Sequence, residues 1–276
     1  MSLSLHDRVK MALCPDRVIL ARLSHGLHSR LLAKRIVACS DAGAEPGWQP
    51  AVTVLREVLK EREWQQATGT LVISNHFVRY LLVPWNDQLS SPEEWRAMVQ
   101  HCFHQVYGEV AEHWECRWSG GGYGMPLIAS AIDPELLAAL HQLAQETGMK
   151  LDSVQPYLMA AFNYWRRRMV SDNGCFLLTE PGRAGLACFH DGQWGGLVFE
   201  PLPDDAAAAL PDLLQRMLLR LEGGPLPHDI FVFAAGVPET VLQRERGPAI
   251  RPLALEPLPG LPPEAGAEYA MALTGE

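Results

Sequence analysis

His101 and His104, in the run His101-Cys102-Phe103-His104, stand three residues apart on a segment of helical periodicity. That spacing puts both imidazoles on one helical face, as a pair of metal ligands needs. No third ligand is close in sequence, and Cys102 and Phe103 belong to an apolar face, so the pair reads as surface histidines. Gly120-Gly121-Gly122-Tyr123-Gly124 has the composition of a phosphate cradle. It lacks a following Lys-Ser/Thr and a following helix, and reads as a hairpin tip. Arg166-Arg167-Arg168 ends a helical segment whose apolar side holds Phe162, Trp165 and Met169. Its charge suits a helix C-terminus, or a basic patch for an acidic partner segment or anionic lipid. There is no G-x-S-x-G nucleophile elbow. The six cysteines, with no C-x-x-C pair, read as reduced and mostly buried thiols.

The elements that would position such residues follow from patterning. Of 276 residues, 48% are apolar, enough for a sizeable core, so the chain is not a disordered one. With 23 basic against 32 acidic residues the formal charge is −9, which repels phosphate backbones and excludes nucleic acid as a general partner. No apolar window is long enough for a membrane span, and the N-terminus lacks a signal-peptide stretch, so a soluble cytoplasmic protein is expected. Val18 to Leu23 and Arg30 to Cys39 read as strands, with a loop from Ser40 to Pro50. Val52 to Glu63 reads as a helix, and Thr70 to Ser74 and Phe77 to Val83 as strands. Ser91-Pro92-Glu93-Glu94 is a helix start with a capping box. The helix runs to about Tyr107, and a strand pair, Trp114 to Trp118 and Pro126 to Ile132, follows. Another helix ends at Gly148, Leu151 to Val154 is extended, and Leu158 to Val170 is helical. Three hairpin-linked strands then come at 175–179, 184–190 and 195–200, followed by a helix over 204–221. Ile230 to Ala234 is a buried strand, Pro238 to Arg244 a short helix, and Glu264 to Leu273 a closing helix.

The order strands, helix, buried strand occurs twice. A repeated unit of this kind is the outline of a ribonuclease H-like domain, and two copies make the actin-like fold. The expected architecture is therefore α/β and actin-like, with an inserted α+β subdomain at about 85–132. The first lobe would span 1–170 and the second 171–276. The middle of the chain sharpens this. A strand ending at Val83-Pro84 is followed by a helix with Trp95, Met98, Val99, Phe103 and Tyr107. A strand ending at Trp118, the strand LIASAI, a helix closing in Thr147-Gly148-Met149, and LDSVQPYLMAAFN come next. This pattern resembles the type IV pilus assembly family PilM and, more distantly, the cytoplasmic domain of the type II secretion family GspL. The resemblance covers residues 69 to 165 best.

The resemblance implies attachment to an inner-membrane pilus or secretion assembly, ATP binding, and capture of a membrane partner's cytoplasmic tail. In the family, two hairpins carrying Asp followed by Gly wrap the phosphates. The first is matched to Val18-Ile19-Leu20-Ala21-Arg22-Leu23-Ser24, which has no such motif. Leu177 to Leu186 (LLTEPGRAGL) stands at the second, with Glu180 and Gly182 as a remnant, and Pro181 removes a donor. The adenosine motif is reduced to Phe233-Ala234-Ala235-Gly236. The expectation is a degenerate site with no cofactor. If nucleotide is retained, ATP with Mg would meet Glu180, Gly182 and Gly236, and the alternative is a weak ATPase or sugar-kinase relative. No catalytic and no metal-binding residue is assigned. Tail binding is expected between the strand Phe77 to Val83 and the insertion, at Phe77, Arg79 and Trp95. Peripheral membrane attachment and homo-oligomer formation stay open.

Overall fold

The computed structural model describes residues 7–26, 29–39, 47–120, 122–221, 226–242 and 247–276. Three antiparallel strands open the chain: β1 (Arg8–Leu13), β2 (Arg17–Leu23) and β3 (Leu31–Ala38). β1 is absent from the sequence reading because RVKMAL alternates poorly: the strand is buried on both faces except near its start. Lys10 interrupts its apolar pattern for a structural reason. The Lys10 ammonium is partly buried and donates to the carbonyls of Leu273 and Gly275, at 3.1 and 2.7 Å. It satisfies carbonyls at the end of the C-terminal helix, and burial holds its pKa below the ordinary lysine value.

α1 (Gln49–Leu59) leads to β4 (Thr68–Ile73), which runs parallel to β1 with Ile73 beside Leu13. The inserted segment follows as β5 (Val78–Val83), α2 (Pro92–Tyr107), β6 (Glu115–Gly120) and β7 (Leu127–Ile132). α2 starts on the expected capping box: the Glu94 N–H donates to the Ser91 hydroxyl at 3.2 Å, and the Ser91 N–H to the Glu94 carboxylate at 3.0 Å. α3 (Pro134–Thr147) closes at Gly148, whose φ of +67° is the left-handed C-cap conformation. β8 (Lys150–Pro156) lies parallel to β4, and α4 (Tyr157–Trp165) follows directly. The Asn75 side chain, 2% exposed, accepts from the Leu158 N–H at 3.1 Å and so serves the α4 N-terminus.

The second half repeats the pattern with β9 (Asn173–Glu180), β10 (Arg183–His190), β11 (Gln193–Pro201), α5 (Ala206–Arg220), β12 (Asp229–Phe233) and β13 (Ala249–Pro252). α6 (Gly266–Thr274) ends the chain. The two five-stranded sheets have the same order: β3-β2-β1-β4-β8 and β11-β10-β9-β12-β13. In each, three antiparallel strands are joined to two parallel ones. This is the duplication that the element order implied. β13 lies in a proline-rich stretch, and its prolines have a place in the sheet. The N–H groups of Ala249 and Leu253 point inward, to the carbonyls of His228 and Val232. Residues 248, 250 and 252 therefore face outward, and Pro248 and Pro252 offer no donor there. The edge is thereby blunted against further strand addition.

The chain divides into two compact units, residues 1–78, 134–164 and 255–276 forming one, and 79–133 with 165–254 the other. Each contains one five-stranded sheet. Three local expectations change. β5 belongs to a third sheet, β5-β7-β6, and not to the first five-stranded sheet. α4 stops at Trp165, so the three arginines lie in the turn after it. Residues 255–276, placed by sequence in the second lobe, pack with the first unit, because the buried face of α6 lies on β1, β2 and β4. The reading of all six cysteines as thiols is also corrected. Cys175 and Cys188, directly opposite on β9 and β10, form a disulfide, and Cys14, Cys39, Cys102 and Cys116 are free. A 13-residue sequence separation gives no hint of that register.

Candidate partner-binding site

β6 and β7 pair from Glu115–Ile132 to Gly120–Leu127, and α2 packs its apolar face on this subdomain. Val99 and Phe103, four residues apart on one helical face, are fully buried beside Val83, Ala111, Leu127 and Ala129. Trp95 continues that face one turn earlier and is only partly covered by the core. Its ring lies 5.3 Å from Trp85, and Trp85 lies 5.1 Å from Tyr123. Tyr123 is 85% exposed. The three rings form a row from the subdomain core to its surface, the amphipathic aromatic surface on which interfaces are anchored. Tyr123 was not among the expected site residues. An exposed aromatic set in a glycine-rich tip was the available signal for Tyr123.

Arg79 is held by β5. Strand alternation sets Arg79, Leu81 and Val83 on one face, and Leu81 and Val83 join the subdomain core. Tyr80, on the other face, stacks on Phe199 of β11 at 5.2 Å with 14° between the rings. The Arg183 guanidinium lies over the same Phe199 ring, 5.0 Å from its centre. Burial holds the Arg183 pKa below the usual arginine value and the Arg79 charge adds to this, while Glu180, Tyr80 and Tyr107 oppose it. Arg79 thus comes within electrostatic reach of the β9–β10 turn, which carries Glu180 and Gly182. Arg79 and Trp95 lie in the second unit. Phe77 precedes β5 in the first unit, half-buried, in a turn closed by its N–H to the Ser74 carbonyl at 3.0 Å.

The proposed nucleotide residues are placed as follows. Val18 to Leu23 is no hairpin turn: it lies inside β2, paired with β1 on one side and β3 on the other. The turn of that first hairpin is Cys14-Pro15-Asp16-Arg17, with the Cys14 N–H donating to the Arg17 carbonyl at 3.0 Å. It contains no glycine, and its Asp16 carboxylate sits 3.4 Å from the Arg17 guanidinium. In the second hairpin Glu180 is 7% exposed at the end of β9, and Gly182 has φ +75° in the turn. Each turn carries a proline, Pro15 or Pro181, where a phosphate loop needs backbone donors. Gly236, φ +79°, follows β12 beside a cavity of about 130 Å³ lined by Phe233, Ala234, Val237, Pro238, Leu242 and Ile250 among others. That lining supplies no charged side chain for a phosphate or its counter-ion.

His104 faces the Glu112 carboxylate at 3.3 Å. Among the described residues no group of three His, Cys, Asp or Glu side chains could hold a metal. Burial pushes the Cys116 thiol up to about 11, with Glu115 adding to the effect and Arg117 opposing it, and burial also raises Cys39 and Cys102.

The duplicated sheets define an actin-like α/β fold. No protein-family model matches the sequence, and a search of curated proteins found no match. Solved structures do match. A chain of the PilM-PilN type IV pilus biogenesis complex superposes with TM-score 0.70 at 14% identity, over 97% of this chain and 96% of that one. The cytoplasmic domain of EpsL, an inner-membrane component of the type II secretion system of Vibrio cholerae, gives TM-score 0.62 at 12% identity, over 98% and 96%. A Bacteroides thetaiotaomicron protein with an actin-like ATPase fold and unknown function gives 0.57 at 11%, over 87% and 86%. The expected PilM- and GspL-like architecture is thus the fold of this chain. No helix among the described residues is long and apolar enough to cross a membrane.

Proposed function

We propose that this chain is a non-enzymatic cytoplasmic scaffold of a type IV pilus or type II secretion-like assembly, holding the cytoplasmic tail of an inner-membrane partner. The observation that carries the reading is the near full-length likeness to a chain of the PilM-PilN complex, joined to an aromatic row that no core requires to reach the surface. The tail would lay apolar side chains against Trp95, Trp85 and Tyr123, with Arg79 supplying a cation at the margin of the same subdomain. Binding of this kind needs concave or stepped aromatic surface and no reactive group. Prolines in both hairpin turns support a scaffold that works without nucleotide turnover. The reading is tested by titrating the chain with a synthetic peptide of a PilN-type partner's cytoplasmic tail. Saturable binding that weakens on Tyr123→Ala supports it, and no binding of any such tail refutes it.

A further inference from the structure

The aromatic row is built from three segments that lie outside every strand. Trp85 follows the end of β5, Trp95 stands near the start of α2, and Tyr123 is in the turn between β6 and β7. All three belong to one compact unit. Their polar ends are open. Among the described residues, the Trp85 and Trp95 indole N–H groups and the Tyr123 hydroxyl have no hydrogen-bond partner, and all three groups stay accessible to solvent. By contrast, the buried Trp165 indole donates to the Ala254 carbonyl at 3.0 Å. Rings at steps of 5.3 and 5.1 Å therefore present apolar faces and three unused donors side by side.

An occupant that suits this row brings open carbonyls together with compact apolar surface. A helical segment does not: its carbonyls are taken by its own N–H groups, except in the last turn. An added strand would lie beside β5 or β6, the two edges of the third sheet, and neither strand carries any of the three rings. A polyproline II segment has no internal hydrogen bonds, so every carbonyl is open, and its pyrrolidine rings are compact apolar faces. The length agrees. Two steps of 5.3 and 5.1 Å make a row no longer than three to four residues of polyproline II at about 3.1 Å each, roughly one turn. Proline also arrives with its backbone already restricted, which lowers the ordering cost of binding.

We propose that the tail segment received here is a proline-bearing polyproline II turn. Its pyrrolidine rings lie against Trp85 and Trp95, and its carbonyls accept from both indole N–H groups and from the Tyr123 hydroxyl. This rests on the scaffold reading and adds the chemistry of the occupant. The experiment titrates the full chain with a capped peptide of repeated Pro-Pro-Ala, and with the same peptide carrying serine at each proline. Calorimetry reads affinity, and the indole N–H resonances of nitrogen-labelled protein read the contact. Saturable binding of the proline peptide is expected, about tenfold or more tighter than the serine control. The shifted indole signals should be those that disappear in Trp85→Phe and Trp95→Phe. Trp85→Phe and Tyr123→Phe each keep a ring and lose a donor, so each should weaken binding about fivefold at an unchanged melting temperature. No binding, equal binding of the two peptides, unmoved indole signals, or donor-less variants that bind like the parent overturn the proposal. A PilN-type tail that binds while the proline peptide does not removes the polyproline assignment and leaves the scaffold reading standing. A proline peptide that binds while no such tail does removes the scaffold reading and leaves the chemistry of the row standing.

Discussion

Gly185 of β10 lies directly opposite Phe199 of β11, and a Cβ at Gly185 would stand 2.5 Å from the Phe199 ring. The missing side chain is what lets that ring lie across the sheet, between Tyr80 of the inserted subdomain and the Arg183 guanidinium. Gly185→Ala should therefore push the ring away and disturb both contacts. Overpacking of this kind costs about 1–3 kcal/mol. A lower urea midpoint at constant m-value is expected, and an unchanged midpoint would show that the column does not depend on the glycine.

Tyr123 separates binding from stability. At 85% exposure its truncation should leave stability within about 0.5 kcal/mol. Tail affinity should fall by more than about 1 kcal/mol, roughly fivefold, if the aromatic row anchors the partner. Thermal melting and calorimetric titration of Tyr123→Ala read the two quantities separately.

Acid stability has a specific source in Asp7. Burial works to raise its carboxyl pKa, but hydrogen bonds from Arg22 and His25 and the Arg22 charge carry it below the ordinary value. Arg22 donates from Nε at 3.0 Å, and its Nη2 lies at 2.9 Å. A carboxyl depressed in the folded state contributes its full stabilisation above the unfolded value, about 3.9. That contribution is lost as pH falls through the lower folded value. Arg22→Gln should shrink the stability difference between neutral and strongly acidic pH. Equal acid limbs for parent and variant would remove Asp7 from the account.

Thiol counting tests the β9–β10 link. Protein purified without reductant, then unfolded, should titrate four thiols of its six cysteines. Reduction should raise the count to six and lower the melting temperature, since closing a loop of this length is worth about 3 kcal/mol in the chain-entropy account. Six thiols before reduction would contradict the pairing.

Magnesium–ATP should leave the melting temperature unchanged. A ligand bound only by the native state, at a hundred times its dissociation constant, would stabilise by about 2.7 kcal/mol. A clear upward shift would overturn the degenerate-site reading of the two proline-bearing turns.

Much of the fold was legible because its signals are local. The Ser91–Glu94 capping box, Gly148 as a C-cap and the hairpin turn at Gly182 are where sequence places them. What escaped is decided by distant partners. β1 carries a lysine whose charge is satisfied by carbonyls more than 260 residues away. β13 carries prolines that only an edge strand tolerates. The strand order could show that β5 is extended, but not that it leaves the first sheet to pair with β7. Of the site, Arg79 and Trp95 follow from the family resemblance, which sets the tail between the strand Phe77 to Val83 and the insertion. Arg183 and Phe199 acquire meaning only when β5 and the second sheet are in place.

The central claim, that the inserted subdomain holds a partner's cytoplasmic tail, is tested most directly by titrating parent and Arg79→Glu protein with that tail peptide. The account predicts saturable binding by the parent. It predicts a loss of about tenfold or more for Arg79→Glu, roughly 1.4 kcal/mol, with the melting temperature retained. A folded Arg79→Glu variant that binds the tail as tightly as the parent would place the site elsewhere and contradict the assignment.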